Sequence, residues 1–133
     1  MSTKLDDVLQ FHQTALDLRA YRQQLLASNI ANADTPNFKA RDINFRNALQ
    51  NAVSSRSANT GLSTTSVRHF SSTAANATET PVLYRTPYQA SIDGNTVDMD
   101  VERTQFVDNA IRYEANLTFI NGQIKTMLAA IQG

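Results

Sequence analysis

The sequence predicts a mainly α fold: long N- and C-terminal helices paired as a coiled coil, with an extended, irregular polar middle and little β structure. Three observations predict it. Apolar residues recur at helical spacing over roughly residues 5–31, a stricter heptad pattern runs from 106 to 131, and the stretch between is rich in Ser, Thr and Asn. These divide one discontinuous domain into a helix over 1–33, an extended connector over 34–95 and a second helix over 96–133. A low-complexity loop at about 51–80 lies within the connector.

The first helix carries Leu5, Val8, Leu9, Phe11, Ala15, Leu16, Leu18, Leu25, Leu26 and Ile30 at steps of three and four, a broad apolar face. Asp6 and Asp7 sit at its positive dipole end. At 1.5 Å per residue it spans about 40 Å, long for a small domain. It runs into "NADTPNF", where Pro36 biases Thr35 toward extended geometry and so ends it. Asn29 and Asn32 lie one turn apart at this end, placed to bond free carbonyls or a neighbouring chain. Asp34 or Thr35 can close a local turn, and Phe38, Ile43 and Phe45 anchor the outgoing segment.

Residues 51–80 are about two-thirds Ser, Thr, Asn and Ala with no sustained apolar period, too little to offset chain entropy. "PVLYRTPYQ" at 81–89 is at best an edge-like or isolated strand, since prolines flank its β-branched and aromatic residues. "SIDGNTVDMDVE" then supplies an Asp93–Gly94 turn and a helix start. Thr96 and Asp98 are the candidate N-caps, with Asp100 and Glu102 favoured in the first turn. In the last helix Phe106, Ala110, Tyr113, Leu117, Ile120, Ile124, Met127 and Ile131 alternate steps of four and three, a heptad seam. Arg112, Glu114, Asn116, Asn121, Gln123 and Lys125 are assigned to other faces. The first helix is the obvious partner for the seam. One pair still leaves stripes uncovered: Phe11, Leu18 and Leu25 on the first helix, and Val107, Ile111 and Leu128 on the last. Extra segments or other copies of the chain must cover them.

The composition restricts function. Of 133 residues, 41% are hydrophobic and 8% aromatic, so the core is mostly aliphatic; net charge is zero, which gives no reason to expect nucleic acid. There is no cysteine and hence no disulfide or thiolate metal site. The N-terminus lacks a secretory h-region and no run is long enough to span a bilayer, so the chain is expected to be cytoplasmic or exported without a cleaved signal. Only His12 and His69 could serve imidazole chemistry, and His12 on a helix face reads as a packing or rim residue. The acids from Asp93 to Glu102 do not follow the order of an EF-hand loop, and capping explains them. With four glycines and no phosphate loop or nucleophile motif, no catalytic, cofactor or metal residues are assigned and no small-molecule substrate is expected.

"ASNIANADTPNFKARDINF" at 27–45 resembles the N-terminal signature of flagellar rod and hook proteins, and "DGNTVDMDVE" at 93–102, followed by "NAIRYEANL" at 109–117, resembles their C-terminal one. Carried over residue by residue, the resemblance marks Asn29, Asn32, Asp34, Thr35, Pro36 and Phe38, and then Asp93, Gly94, Asn95, Val97, Asp98, Met99 and Asp100, as assembly residues. Asn37 stands where the family commonly has Gly; Asn tolerates the left-handed region, so the turn is expected to be kept. The resemblance implies a non-enzymatic subunit of the rod, the drive shaft of the bacterial flagellum. The short length and "NADTP" followed by "KARDI" point to a proximal rod subunit, with FlgC the nearest alternative. Longer distal rod and hook proteins carry an inserted outer domain that this chain lacks. Implied partners are other copies of the chain, other rod proteins such as FlgC, the adaptor FliE, the MS ring and the flagellar type III export gate. In a shaft carrying torque, the angle at which the chain leaves its first helix sets how subunits stack. The rival reading from the residues alone is a helical-hairpin adaptor or chaperone that stays discrete.

Overall fold

The computed structural model describes residues 4–57, 80–87 and 91–132. Its elements are α1 (Lys4–Ala31), β1 (Arg41–Ile43), α2 (Phe45–Ser57), β2 (Val82–Tyr84) and α3 (Met99–Gln132). Most of the low-complexity stretch, and His69 with it, lies outside the described residues. α1 and α3 run antiparallel, since His12 meets Asn116 toward one end and Asn29 meets Glu102 at the other. α3 starts at Met99, three residues after the expected 96, and takes the second of the two candidate caps. The Asp98 carboxylate accepts the N–H groups of Asp100 (3.1 Å) and Val101 (3.2 Å), which have no intrahelical partner. Thr96, the other candidate cap, is used elsewhere: its hydroxyl accepts the Ala40 N–H at 2.8 Å.

β1 and β2 form a two-stranded antiparallel sheet with Arg41 opposite Tyr84 and Ile43 opposite Val82. Of the two expectations for 81–89, edge-like or isolated, the first holds: β2 is an edge strand whose partner lies just beyond the first turn motif. α2 corrects the expectation of an extended connector over 34–95. Asn44 caps it by accepting the Asn47 N–H at 3.1 Å, and Phe45, Ala48, Leu49 and Ala52 give it a helical apolar period. Leu18 and Leu25 of α1 are buried with Ile43 and Ala48, and Phe45, Leu49 and Val82 pack against them. The Arg19 guanidinium lies 4.1 Å from the centre of the Phe45 ring. The stripe that sequence left uncovered on α1 is thus covered within the chain at Leu18 and Leu25, while Phe11 stays exposed.

The second correction concerns the seam. Phe106, Tyr113, Ile120 and Met127 are half-buried, as a heptad contact with α1 requires. Of their expected companions only Leu117 is half-buried; Ala110, Ile124 and Ile131 are exposed. Those places are taken by Glu102, Asn109, Asn116 and Gln123, also seven residues apart, which are buried or half-buried. Asn116 and Gln123 were assigned to other faces, and that assignment is wrong. The reason lies on α1, which brings His12, Arg19, Gln23 and Asn29 to the contact. Buried polar groups need partners, so the polar row of α3 faces α1 and the apolar row beside it does not.

Candidate assembly site

The two sequence motifs, some sixty residues apart, form one joint. α1 ends with free carbonyl groups, as any helix does. The side-chain amide of Asn95 donates to three carbonyls there: Asn32 at 3.0 Å, Ala33 at 2.7 Å and Thr35 at 2.9 Å. Its own oxygen accepts the Val97 N–H at 2.8 Å. Asn95 is thus a C-cap for α1 supplied by the segment that opens α3. Around it the backbones of the two motifs bond directly, Asn37 N–H to Asp93 O at 2.9 Å and Thr96 N–H to Phe38 O at 3.0 Å. Lys39 adds a bond to Gly94 O at 2.7 Å.

Both motifs need left-handed backbone at this crossing. Asn37 has φ 60°, consistent with an Asn in a glycine-favouring turn, and Gly94 has φ 73°. A Cβ on Gly94 would lie 2.7 Å from Asn37 Oδ1, the end of a side chain that can turn aside, so it is the positive φ that asks for glycine there. Asp93 is exposed, and its carboxyl is held below the ordinary range by the Ser91 hydroxyl and the Asn95 N–H. Asn32 bonds Ser28 O at 2.8 Å and accepts the Thr35 hydroxyl at 3.1 Å. Asp34, Thr35 and Pro36 are exposed, as are Asp98 and Asp100, while Phe38, Val97 and Met99 are half-buried.

Asn29 does something its position alone did not reveal. Its side chain accepts the Arg41 N–H at 3.0 Å and donates to Arg41 O at 2.8 Å. One amide group thereby meets both backbone groups of a strand residue, as a neighbouring strand would. The same amide nitrogen reaches Glu102 Oε2 at 3.1 Å. Glu102 is fully buried and paired with Arg85. Arg85 also holds Asp42 at 2.6 Å, and Asp42 takes a two-pronged bond from Arg22 at 2.9 and 3.0 Å. This chain of charges ties α1, β1, the residue after β2 and α3 together. Burial pushes the Glu102 carboxyl up, against the pull of the Asn29 amide and Arg85. Burial acts the same way on Asp42, but the bonds from Arg22, Arg85 and the Ile43 N–H prevail and hold it below its ordinary value. The bond to Asp42 in turn raises Arg22.

Beyond the joint the polar row continues along the helix pair. Asn109 donates to Arg19 O at 2.9 Å and to Gln23 Oε1 at 2.6 Å. Asn116 faces His12, whose ring nitrogen lies 2.8 Å from the Asn116 oxygen. His12 is therefore a rung of the interface with an edge contact to Phe11 and a tilted one to Phe119. Among the described residues no three His, Asp or Glu side chains are grouped to hold a metal ion.

Sequence reasoning found the joint's visible parts and missed Arg22, Asp42, Arg85, Glu102 and Asn109. The signal available for the last two was the seven-residue step shared by Glu102, Asn109, Asn116 and Gln123. Away from this row, Val107, Ile111, Leu128 and Ile131 of α3 are exposed, and Phe119 is exposed at its flank beside His12.

The arrangement is a polar joint carrying two long helices with exposed apolar side chains, and the α1 side of that joint lies within a known family signature. The family described as "Flagella basal body rod protein" matches residues 9–39, from within α1 through the turn at Asn37. Curated relatives match over the whole chain. The flagellar basal body rod protein FlgB of Yersinia enterocolitica is 50% identical over 135 residues, covering 99% of this chain and 98% of the relative. FlgB of Salmonella typhimurium is 48% identical over 136 residues, covering 100% and 99%. FlgB of Escherichia coli K12 is 48% identical over 135 residues, covering 99% and 98%. No described helix is long and apolar enough to cross a membrane. The chain belongs to the FlgB family of flagellar basal body rod proteins, structural components of the rod.

Proposed function

We propose that this chain is a subunit of the proximal rod, the part of the drive shaft that links the MS ring to the distal rod and hook. In this reading it is exported unfolded through the flagellar type III apparatus. It stacks with copies of itself and with FlgC, and meets the adaptor FliE, the MS ring and the export gate at the base. The observation that carries the reading is the apolar face of α3. Val107, Ile111, Leu128 and Ile131 are each at least half exposed, and so many large apolar side chains left open on one helix mark a surface for partners to cover. A discrete adaptor would have reason to bury that face within its own fold. The joint supports the same reading, because it fixes the direction in which the chain leaves α1 by bonds on both sides of the turn.

The test is imaging of basal bodies purified from a strain whose only copy of the rod gene encodes this chain with a small tag. Tag density at the base of the rod is expected. A tagged protein that stays soluble as a monomer or dimer, in cells that swim normally, would leave the adaptor reading standing instead.

A further inference from the structure

We propose that the polar row between α1 and α3 is a positioning device that keeps the free half of α1 off the apolar row of α3. The two rows lie on either side of the half-buried row of Phe106, Tyr113, Ile120 and Met127. Asn109 and Asn116 face α1, and Ala110, Leu117 and Ile124 lie one residue further round the helix, about 100° away. Hydrophobic burial alone would draw α1 sideways onto the second row, pivoting about the joint where Asn29 and Glu102 hold the helices together. What opposes the swing is satisfaction of buried polar groups. Off the polar row, Asn109 would lose Arg19 O and Gln23 Oε1, and Asn116 would lose His12. At the far end of the row, Gln123 Oε1 is buried and has no hydrogen-bond partner among the described residues. Asn109 and Asn116 therefore act less as glue than as a guide, choosing which face of α3 remains open. The use made of that open face rests on the rod reading; the position of α1 does not.

The chain has no cysteine, so single thiols can report the position. Ile124→Cys places one on the open row, and Gln123→Cys, in a separate protein, places one on the covered row. Each is introduced alone and together with Asn109→Ala/Asn116→Ala, and modification by a small maleimide is timed on the purified full chain. With the two asparagines removed, the thiol from Ile124→Cys should react several-fold to about tenfold more slowly as α1 moves over it. The thiol from Gln123→Cys should react faster. Opposite responses at adjacent residues are the signature of a sideways shift. If both thiols speed up together the helices have merely frayed, and if neither changes the asparagines do not set the position; either result overturns the proposal. These rates involve no rod, so they stand apart from the outcome of the basal-body imaging.

Discussion

The two ends of the α1/α3 pair obey opposite rules. At the joint, fully buried Asn29 and Glu102 have named partners and Asn95 closes the end of α1. Toward the other end, α3 exposes Leu128 and Ile131, and a buried amide oxygen at Gln123 has no partner among the described residues. Among the described residues, three of the four largest fully buried side chains, Asn29, Glu102 and Asn109, are polar, and Leu26 is the fourth. One pair of helices thus carries a finished region held by directional bonds and an unfinished one rich in uncommitted apolar surface. The difference teaches that directional bonds gather at the joint, while exposed apolar side chains run along α3 from Val107 to Ile131.

The comparison can be broken hardest at Arg85. Arg85→Ala leaves Glu102 buried without its charge partner, and should cost about 3–5 kcal/mol in urea unfolding followed by circular dichroism. Asn95→Ala should cost about 1–3 kcal/mol by the same measurement, because carbonyls at the end of α1 lose their donor. A loss under 0.5 kcal/mol from both would mean that the joint is not the finished region.

Acid titration sharpens the same contrast through two signs. Asp42 is depressed, so its contribution is complete above the ordinary carboxylate pKa and is lost as pH falls through its lower folded value. Glu102 is raised, so ionising it in the fold carries a cost at higher pH, relieved as pH falls through its folded value toward the ordinary one. Acidification should therefore first hold or slightly raise stability and then reduce it. Glu102→Gln should remove the first phase and Asp42→Asn the second, read from unfolding midpoints across the acid range.

The smallest effect on folding is expected at the unfinished end. Ile131 is 82% exposed, so Ile131→Asp should change stability by no more than about 0.5 kcal/mol. It should nevertheless abolish swimming in a strain relying on this chain. Normal swimming would detach the exposed face from assembly.

Legibility followed the range of the interactions. Helix ends are local, so the stop near Thr35–Pro36 and the cap at Asp98 could be read from neighbouring residues. Asn37 in the left-handed region was legible for the same reason. α2 was hidden because its apolar run is short and passes directly into Ser-rich sequence. The seam was half legible: a row of Phe106, Tyr113, Ile120 and Met127 is apolar, but its companion row could be chosen only by knowing that α1 presents His12, Arg19 and Gln23. A polar heptad looks the same in sequence whether it faces water or another polar helix. Arg85 and Asp42 were beyond reach, since nothing local links residues so far apart in the chain.

The bond between Asn95 and the end of α1 also has a consequence in polymer terms. It pins residues 32–35 to residue 95, so the intervening chain is a closed loop whose ends are fixed whatever lies between them. Closing such a loop costs entropy that grows only with the logarithm of its length, about 0.6 kcal/mol for each doubling. A whole folded module could be spliced between α2 and β2 for little more than that, while both helices and their joint stayed where they are. The pinned ends make this chain a frame of constant shape around an interval of freely variable length.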